Sequence, residues 1–356
     1  MLKEVKMIDT PWIAIIDHSI SIGIKKVLVV LRVNANIFKN RQKALTLKEC
    51  ECIGIKISTK VNSQSVAIEL EEIFKKAGKP IAIVKDRDST LNKGVILYDK
   101  TVEIIDDITH EVANALKKQF EKTKSYQLFM KLLREGATKI RLTNIAFLMP
   151  PKLRKKGRFQ AIGNLTKWAS KIIDTKIFSI RGKAKKGTLL DKFRTAFPKF
   201  NSLKSFIKNF SKTTTKTEQI MKILKNRGLE QSTYRECQLL LKQLPKNSKT
   251  RKIMRIWLEK HIIIQKKIGD YPLIIYSDII ETLFGKFKHI IYRNPQADLN
   301  KTALLIPTLC GELDEKTVLE ILNKTRHKDL KEWEKENIPY TVRKQRQEFF
   351  NLNIQK

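Results

Sequence analysis

Apolar and polar positions along this chain change their period near residue 110. Before that point the pattern is mostly that of short strands. Pro11-Trp12-Ile13-Ala14-Ile15-Ile16 is an unbroken apolar run that closes on Asp17. Together with the runs at 26–33 and 52–58 it predicts three strands, each too short for a buried helix. Asp17 and Gly23 flank the short link between the first two, which suits a hairpin. From Ser65 to Ala77 the period becomes helical, with Val66, Ile68, Leu70, Ile73 and Phe74 on one face and Gly78-Lys79-Pro80 as the stop. A strand over 80–85, a short helix from Leu91 to Leu97 and a strand from Thr101 to Ile105 follow.

The order β-β-β-α-β-α-β is that of an α/β fold with an RNase H-like mixed five-stranded sheet and flanking helices, one helix short of completion. Each helix-then-strand step is a crossover. Crossovers join parallel strands, and the carboxyl ends of such strands host functional sites.

From His110 the helical period persists. Val112, Leu116 and Phe120, then Leu128, Leu132 and Leu133, mark one or two helices with a stop near Gly136. Further helical stretches run from Asn164 to Ile173, Lys216 to Lys225, Thr233 to Leu244 and Arg251 to Lys267. The segment Tyr276 to Lys288 reads as another helix, and short charged helices follow from about Asp314. These boundaries divide the chain into a core at 10–110, a helical insertion at 111–270, a second core piece at 271–295 and a helical basic tail at 296–356. No internal repeat is visible.

Charge sharpens this division. Lys and Arg number 72 against 36 Asp and Glu, a net of +36 over 356 residues. Within 151–260 there are 30 Lys and Arg against 6 Asp and Glu, a net of +24, so the positive potential is concentrated. Such a charge opposes compaction unless a polyanion neutralises it, and nucleic acid is the expected partner. No apolar run approaches the roughly 20 residues a membrane span requires, and the N-terminus carries no apolar core of a secretory signal. Four cysteines, Cys50, Cys52, Cys237 and Cys310, make no disulfide framework. These features together predict a cytoplasmic, nucleoid-associated protein with no membrane partner.

Three acids are candidates for chemistry. Asp17 ends the first strand run, Asp86 follows the 80–84 run by one residue, and Glu281 lies in the 276–288 helix. Taken singly, each also reads as a surface residue or a helix cap. Asp88, two residues past Asp86, is a rival for the second position. Phosphodiester chemistry uses divalent ions held by carboxylate oxygens, and Mg²⁺ needs no His or Cys cluster. At roughly 100° per residue, Lys288 lies at about −20° from Glu281 around the helix and Lys286 at about 140°, so Lys288 shares its face. Asp107 with His110 offers another ligand pair, but Asp107 reads better as a cap for the helix that starts near Thr109. Cys50-Glu51-Cys52 lacks a second cysteine pair and is a poor zinc site. Trp168, Trp257 and Trp333 sit at helical spacing and read as packing residues.

Over residues 10–295 the chain resembles the catalytic part of bacterial insertion-sequence transposases of the DDE type. Four stretches carry the resemblance: Trp12 to Ser19 around the first acid, Ile83 to Gly94 around the second, Asp107-Ile108-Thr109-His110, and the helix from Tyr276 to Lys288. Lys288 stands seven residues after Glu281, as a phosphate-contacting Lys does in that family. Ser277 stands where relatives often carry Arg, four residues before the Glu. The resemblance implies a catalytic triad of Asp17, Asp86 and Glu281 with two Mg²⁺ or Mn²⁺ ions. It also implies DNA partners, both transposon ends and target, and a homodimer. The helix-turn-helix domain usual at the N-terminus of such proteins is not seen in this sequence. The basic loops, with Arg154, Lys155, Lys156, Arg158, Lys183, Lys185 and Lys186, are then expected to hold DNA. The expected activity is strand cleavage followed by transfer of the 3′-OH. A nuclease on the same core and a non-catalytic nucleic-acid-binding remnant are the alternatives.

Overall fold

The apolar run at 12–16 is buried on both faces, so it forms an inner strand rather than an alternating, half-wetted one. In the computed structural model this is β1 (Trp12–Ile22), the middle of five strands. The structure describes residues 7–22, 25–39, 41–152, 157–175, 184–292, 299–312, 314–338 and 340–354. The chain continues through β2 (Lys25–Asn34), β3 (Glu51–Ser58), α1 (Ser63–Ala77), β4 (Ala82–Lys85), α2 (Ser89–Tyr98) and β5 (Glu103–Asp106). The sheet order is β3-β2-β1-β4-β5. β1 pairs antiparallel with β2, and β2 antiparallel with β3, whereas β4 lies parallel to β1 and β5 parallel to β4. This is an α/β fold with RNase H-like topology.

The first strand is longer than the apolar run suggests. It continues past Asp17 to Ile22, because β2 still offers it antiparallel partners, Asp17 facing Val29. The parallel partner ends earlier. The last β1–β4 pair is Ile16 with Lys85, so Asp17 stands just beyond the parallel ladder rather than at the end of its strand. Gly23, read as part of the hairpin link, lies outside the described residues.

α1 and α2 cover one face of the sheet. Val66, Leu70, Ile73 and Phe74 of α1, with Leu91 and Val95 of α2, pack on Trp12, Ala14, Ile16, Leu28 and Val30. The caps agree with the sequence. Asn62 accepts from the Ser65 N–H at 2.8 Å to start α1, and Gly78 closes it at φ 86°. α10 (Asp278–Ile291) packs against β1 with Ile279, Ile280, Leu283, Phe284 and Phe287 buried.

Contacts divide the chain into two compact units. One comprises Met1–Asp107, Lys225–Glu230 and Ile263–Lys356; the other comprises Ile108–Leu224 and Gln231–Ile262. The sheet unit therefore takes in Lys225–Glu230, which lies within the 111–270 insertion expected from the sequence. The cause is local: Leu229 and Leu273 exchange backbone hydrogen bonds of 2.9 and 2.8 Å in an isolated antiparallel bridge. The same unit holds α11 (Leu305–Thr308), α12 (Glu315–Lys324), α13 (His327–Asn337) and α14 (Val342–Ile354).

The helical unit is built from α3 (Ile108–Phe120), α4 (Lys124–Ile140), α5 (Ile162–Asp174), α6 (Leu189–Ala196) and α8 (Gln231–Lys242). Most of α7 (Lys204–Arg227) and of α9 (Lys249–Ile268) belongs to it as well. Its core is aromatic: Phe120, Tyr126, Phe129, Phe206 and Phe210 meet with ring centroids 4.5–6.4 Å apart.

Two expectations fail here. Gly136 does not stop α4. It is buried inside the helix, where a Cβ would fall 2.1 Å from Cε1 of Phe197, so the glycine answers to packing rather than to termination. α7 begins twelve residues before Lys216, through a Thr-rich stretch that reads as polar. Thr213, Thr214 and Thr217 are fully buried, and their hydroxyls bond back to carbonyls three or four residues earlier at 2.9–3.2 Å. Among the described residues no helix is long and apolar enough to cross a membrane.

Candidate active site

Parallel strands send their residues to one edge of a sheet, and here the β1–β4 ladder does so in register. After the pair Ile16–Lys85, the next residues are Asp17 and Asp86. Both are half-buried. They line one cavity of ≈ 70 Å³ together with His18, Lys26 and Asp88. The two acids come from chain positions far apart and meet because the sheet order places β4 beside β1.

Asp86 and Asp88 divide their work. Asp88 is the N-cap of α2, its Oδ1 accepting from the N–H groups of Thr90 at 2.7 Å and Leu91 at 3.0 Å. Asp86 Oδ1 accepts from the Asp88 N–H at 2.8 Å, which holds the turn between strand and helix. The capping role accounts for an acid at 88 without any chemistry.

His18 was not singled out from the sequence. In a regular strand the neighbour of Asp17 would point to the opposite face. The β1–β2 ladder shifts register between His18 and Ile20, and both Asp17 and His18 line the cavity. Burial pulls the His18 pKa down to about 4, against the pull of Asp88 and with a smaller push from Lys26. Its Nε2 is buried without a hydrogen-bond partner among the described residues. No local sequence signal marks the bulge.

Behind the acids lies a layer of fixed charge. Lys85 is 1% exposed; its Nζ donates to the Asp86 carbonyl at 3.0 Å and to Asp106 Oδ1 at 3.2 Å. Asp107 is fully buried, and its Oδ2 accepts from both the N–H and the Oγ of Ser277, at 2.6 and 2.7 Å. Beyond the cap expected of it towards Thr109, the Asp107 carboxylate reaches a residue 170 positions away. His110, weighed as its ligand partner, has its Nε2 3.3 Å from Gln160 Nε2.

Glu281 lies in the first turn of α10 and is exposed; it is not among the residues that line the Asp17–Asp86 cavity. Lys288 is half-buried and Lys286 exposed on the same helix. Among the described residues no group of three or more His, Cys, Asp and Glu side chains is placed to hold a metal ion. The donors around the cavity suit a hard cation all the same. Mg²⁺ is commonly held by one or two carboxylates with water and substrate oxygens, and Asp17 and Asp86 supply that much. Asp17 and Asp86 would be the protein's ligands to one such ion, with water and substrate oxygens supplying the rest; the second of the expected pair would need Glu281.

Of the residues expected to grip DNA, Arg158, Lys185 and Lys186 are exposed, and Arg154, Lys155, Lys156 and Lys183 lie outside the described residues. Arg158 lines a groove of ≈ 610 Å³ in the helical unit, with Arg134, Arg141 and Lys152 and an apolar floor that includes Met130 and Leu133. Arg134 and Arg141 were missed because they sit on the polar side of α4 and at its end, where a lone Arg looks like solvated surface.

The remaining candidates are structural. Burial raises the Cys50 and Cys310 thiols to about 12 and holds Cys52 well above the usual range, so none is a ready thiolate. Trp168 packs on Phe197 and Phe200, and Trp257 stacks on His261 at 4.1 Å between ring centroids.

No family model matches this chain, and no curated protein matches it. Among solved structures it is similar to a chain of the Drosophila P element transposase strand transfer complex. The two are 11% identical, with a TM-score of 0.44, over 92% of this chain and 80% of that one.

Proposed function

We propose that this protein is a DNA transposase of the DDE type. The observation that carries the reading is the pairing of Asp17 and Asp86 past the last rung of the parallel β1–β4 ladder, on one cavity of an RNase H-like sheet. A divalent cation bound there would stabilise charge on the attacking and leaving oxygens of a phosphodiester. Asp17 and Asp86 would hold it, with Glu281 as the third carboxylate. Lys26 brings a positive charge to the same cavity, and Lys288 brings one to the Glu281 helix, where each can meet a phosphate. In the proposed sequence, water first cleaves at the element's end and frees a 3′-OH. That hydroxyl then attacks a target phosphodiester in line, and the target's own 3′-oxygen leaves. The basic helical unit holds the DNA backbone throughout, and a homodimer would bring two ends together.

The test is a strand-cleavage and strand-transfer assay with Mg²⁺ or Mn²⁺ on labelled element ends. Asp17→Asn, Asp86→Asn and Glu281→Gln should each lower cleavage by at least about 10³-fold, the scale lost when charge stabilisation at the reacting phosphate is removed. DNA binding should remain. Full cleavage by any one variant removes that residue from the site. A second reading draws on the absence of a three-ligand cluster among the described residues. It is a non-catalytic nucleic-acid-binding protein, and DNA binding without cleavage of any substrate would select it. Cleavage without joined products would select a nuclease.

A further inference from the structure

We propose that Asp107 is the positioning residue that ties the helix of the third acid to the strand of the second; this rests on the three-acid reading above. The start of α10 is pinned at three successive residues. The Leu45 N–H donates to Tyr276 Oη at 2.7 Å, Asp107 receives both donors of Ser277, and Lys225 pairs with Asp278. Only the middle tie joins the helix to the strands that carry the acids. The Asp107 N–H donates to the Lys85 carbonyl at 3.0 Å, one residue before Asp86. The neighbouring Asp106 receives Lys85 Nζ, which also donates to the Asp86 carbonyl. The dipeptide Asp106–Asp107 thus holds the backbone around Asp86 on one side and Ser277 on the other. Ser277 is the N-cap of α10 and stands four residues before Glu281.

The chemistry of the tie suits placement. A fully buried carboxylate is costly unless it is hydrogen-bonded, and a rigid backbone N–H with a short hydroxyl gives it two charge-assisted bonds of fixed geometry. Neither partner is a long side chain that could swing. Burying a carboxylate here is a poor way to gain stability and a good way to fix where a helix begins. The arrangement also explains the serine. Four residues before Glu281 this chain has a small donor aimed inward at Asp107.

Mn²⁺ binding to the full-length protein, followed by the electron paramagnetic resonance of free Mn²⁺, tests the proposal without relying on activity. Asp107→Ala and Ser277→Ala should weaken Mn²⁺ binding about tenfold, as loss of groups that orient metal ligands does. Ser277→Thr, which restores the hydroxyl, should recover it. In a Glu281→Gln background, Asp107→Ala should have no further effect, because its influence passes through Glu281. Cooperative urea unfolding confirms that each variant is folded, and Ser277→Ala serves if Asp107→Ala is not. Equal losses in both backgrounds would assign Asp107 a general structural role and overturn the proposal. Weakened binding in Asp17→Asn and Glu281→Gln, with none in Asp107→Ala or Ser277→Ala, would overturn it alone. Unchanged binding in Asp17→Asn and Glu281→Gln would instead remove the three-acid reading beneath it.

Discussion

The sheet unit and the helical unit bury different kinds of polar group. In the sheet unit most of the buried polar groups are charged side chains with fixed partners, beside the neutral Ser277 and Gln265. Lys85 meets Asp106, Asp107 meets Ser277, and Arg32, 5% exposed, meets Glu51 at 2.6 Å while lying 5.8 Å from the Trp12 ring centre. In the helical unit they are mostly hydroxyls, Thr166, Thr213, Thr214 and Thr217, each satisfied by a nearby carbonyl, with Thr166 and Thr214 also meeting at 2.9 Å. A hydroxyl bonded back along its own helix is a cheap filler. A buried charge needs an exact partner and loses several kcal/mol without one, so it persists where geometry matters. The difference assigns the two units different tasks. The sheet unit fixes carboxylates in place, and the helical unit packs as a support for surface cations.

The sharpest way to break that comparison is Lys85→Met, which keeps an unbranched side chain one atom shorter and removes its donors. If the ionic layer is held as tightly as its distances indicate, folding stability should fall by about 3 kcal/mol, the scale of breaking a buried ion pair from one side. Urea unfolding with a constant slope would measure it. A loss below about 0.5 kcal/mol would mean that Asp106 is served well enough by water, and the sheet unit would no longer differ from the helical one in this respect.

How much of this was legible in the sequence depends on how local each cause was. β1, β4 and α1 could be read because the apolar runs and the Gly78-Lys79-Pro80 stop act within a few residues. That Asp17 and Asp86 stand just past the β1–β4 ladder could be read because Asp17 follows its apolar run and Asp86 stands one residue past its own. The register shift just after His18, beside the cavity that His18 lines, left no local mark. Nor did the Asp107–Ser277 tie, whose partners are 170 positions apart. In the helical unit, Thr213 to Thr217 hid the first half of α7, since burial of a hydroxyl is invisible to a scale that counts Thr as polar. Gly136 misled for the same kind of reason: a glycine demanded by the Phe197 ring looks like a helix stop until the ring is placed.

A second test bears on the helical unit. Replacing Arg158, Lys185 and Lys186 together by Gln should weaken DNA binding at low salt by about tenfold. The slope of log K against log salt should fall by roughly two to three, because each lost phosphate contact releases about 0.9 fewer counterions. If these side chains grip the backbone and take no part in the chemistry, cleavage at saturating DNA should be unchanged. A fall in the saturated rate with an unchanged salt slope would reverse the assignment and move chemistry into the helical unit.

The smallest expected effect concerns Gly285, which lies on α10 between Glu281 and Lys288 along one strip of the helix. A glycine inside a helix costs roughly 1 kcal/mol relative to alanine, so its presence calls for a cause. Packing does not provide one: beyond its chain neighbours and the backbone of its own helix, a Cβ built there meets no atom of the described residues within 4 Å. The strip that carries the third acid and its lysine is therefore left bare at its middle, which suits close approach of a phosphate backbone. Gly285→Ala should raise stability by about 1 kcal/mol, read as a melting temperature higher by roughly 2–4 °C, while weakening DNA binding or cleavage several-fold. Opposite signs for stability and function would separate a contact with substrate from a packing defect. A variant that is more stable and equally active would show that DNA does not approach this strip, and Lys288 would lose its assigned phosphate with it.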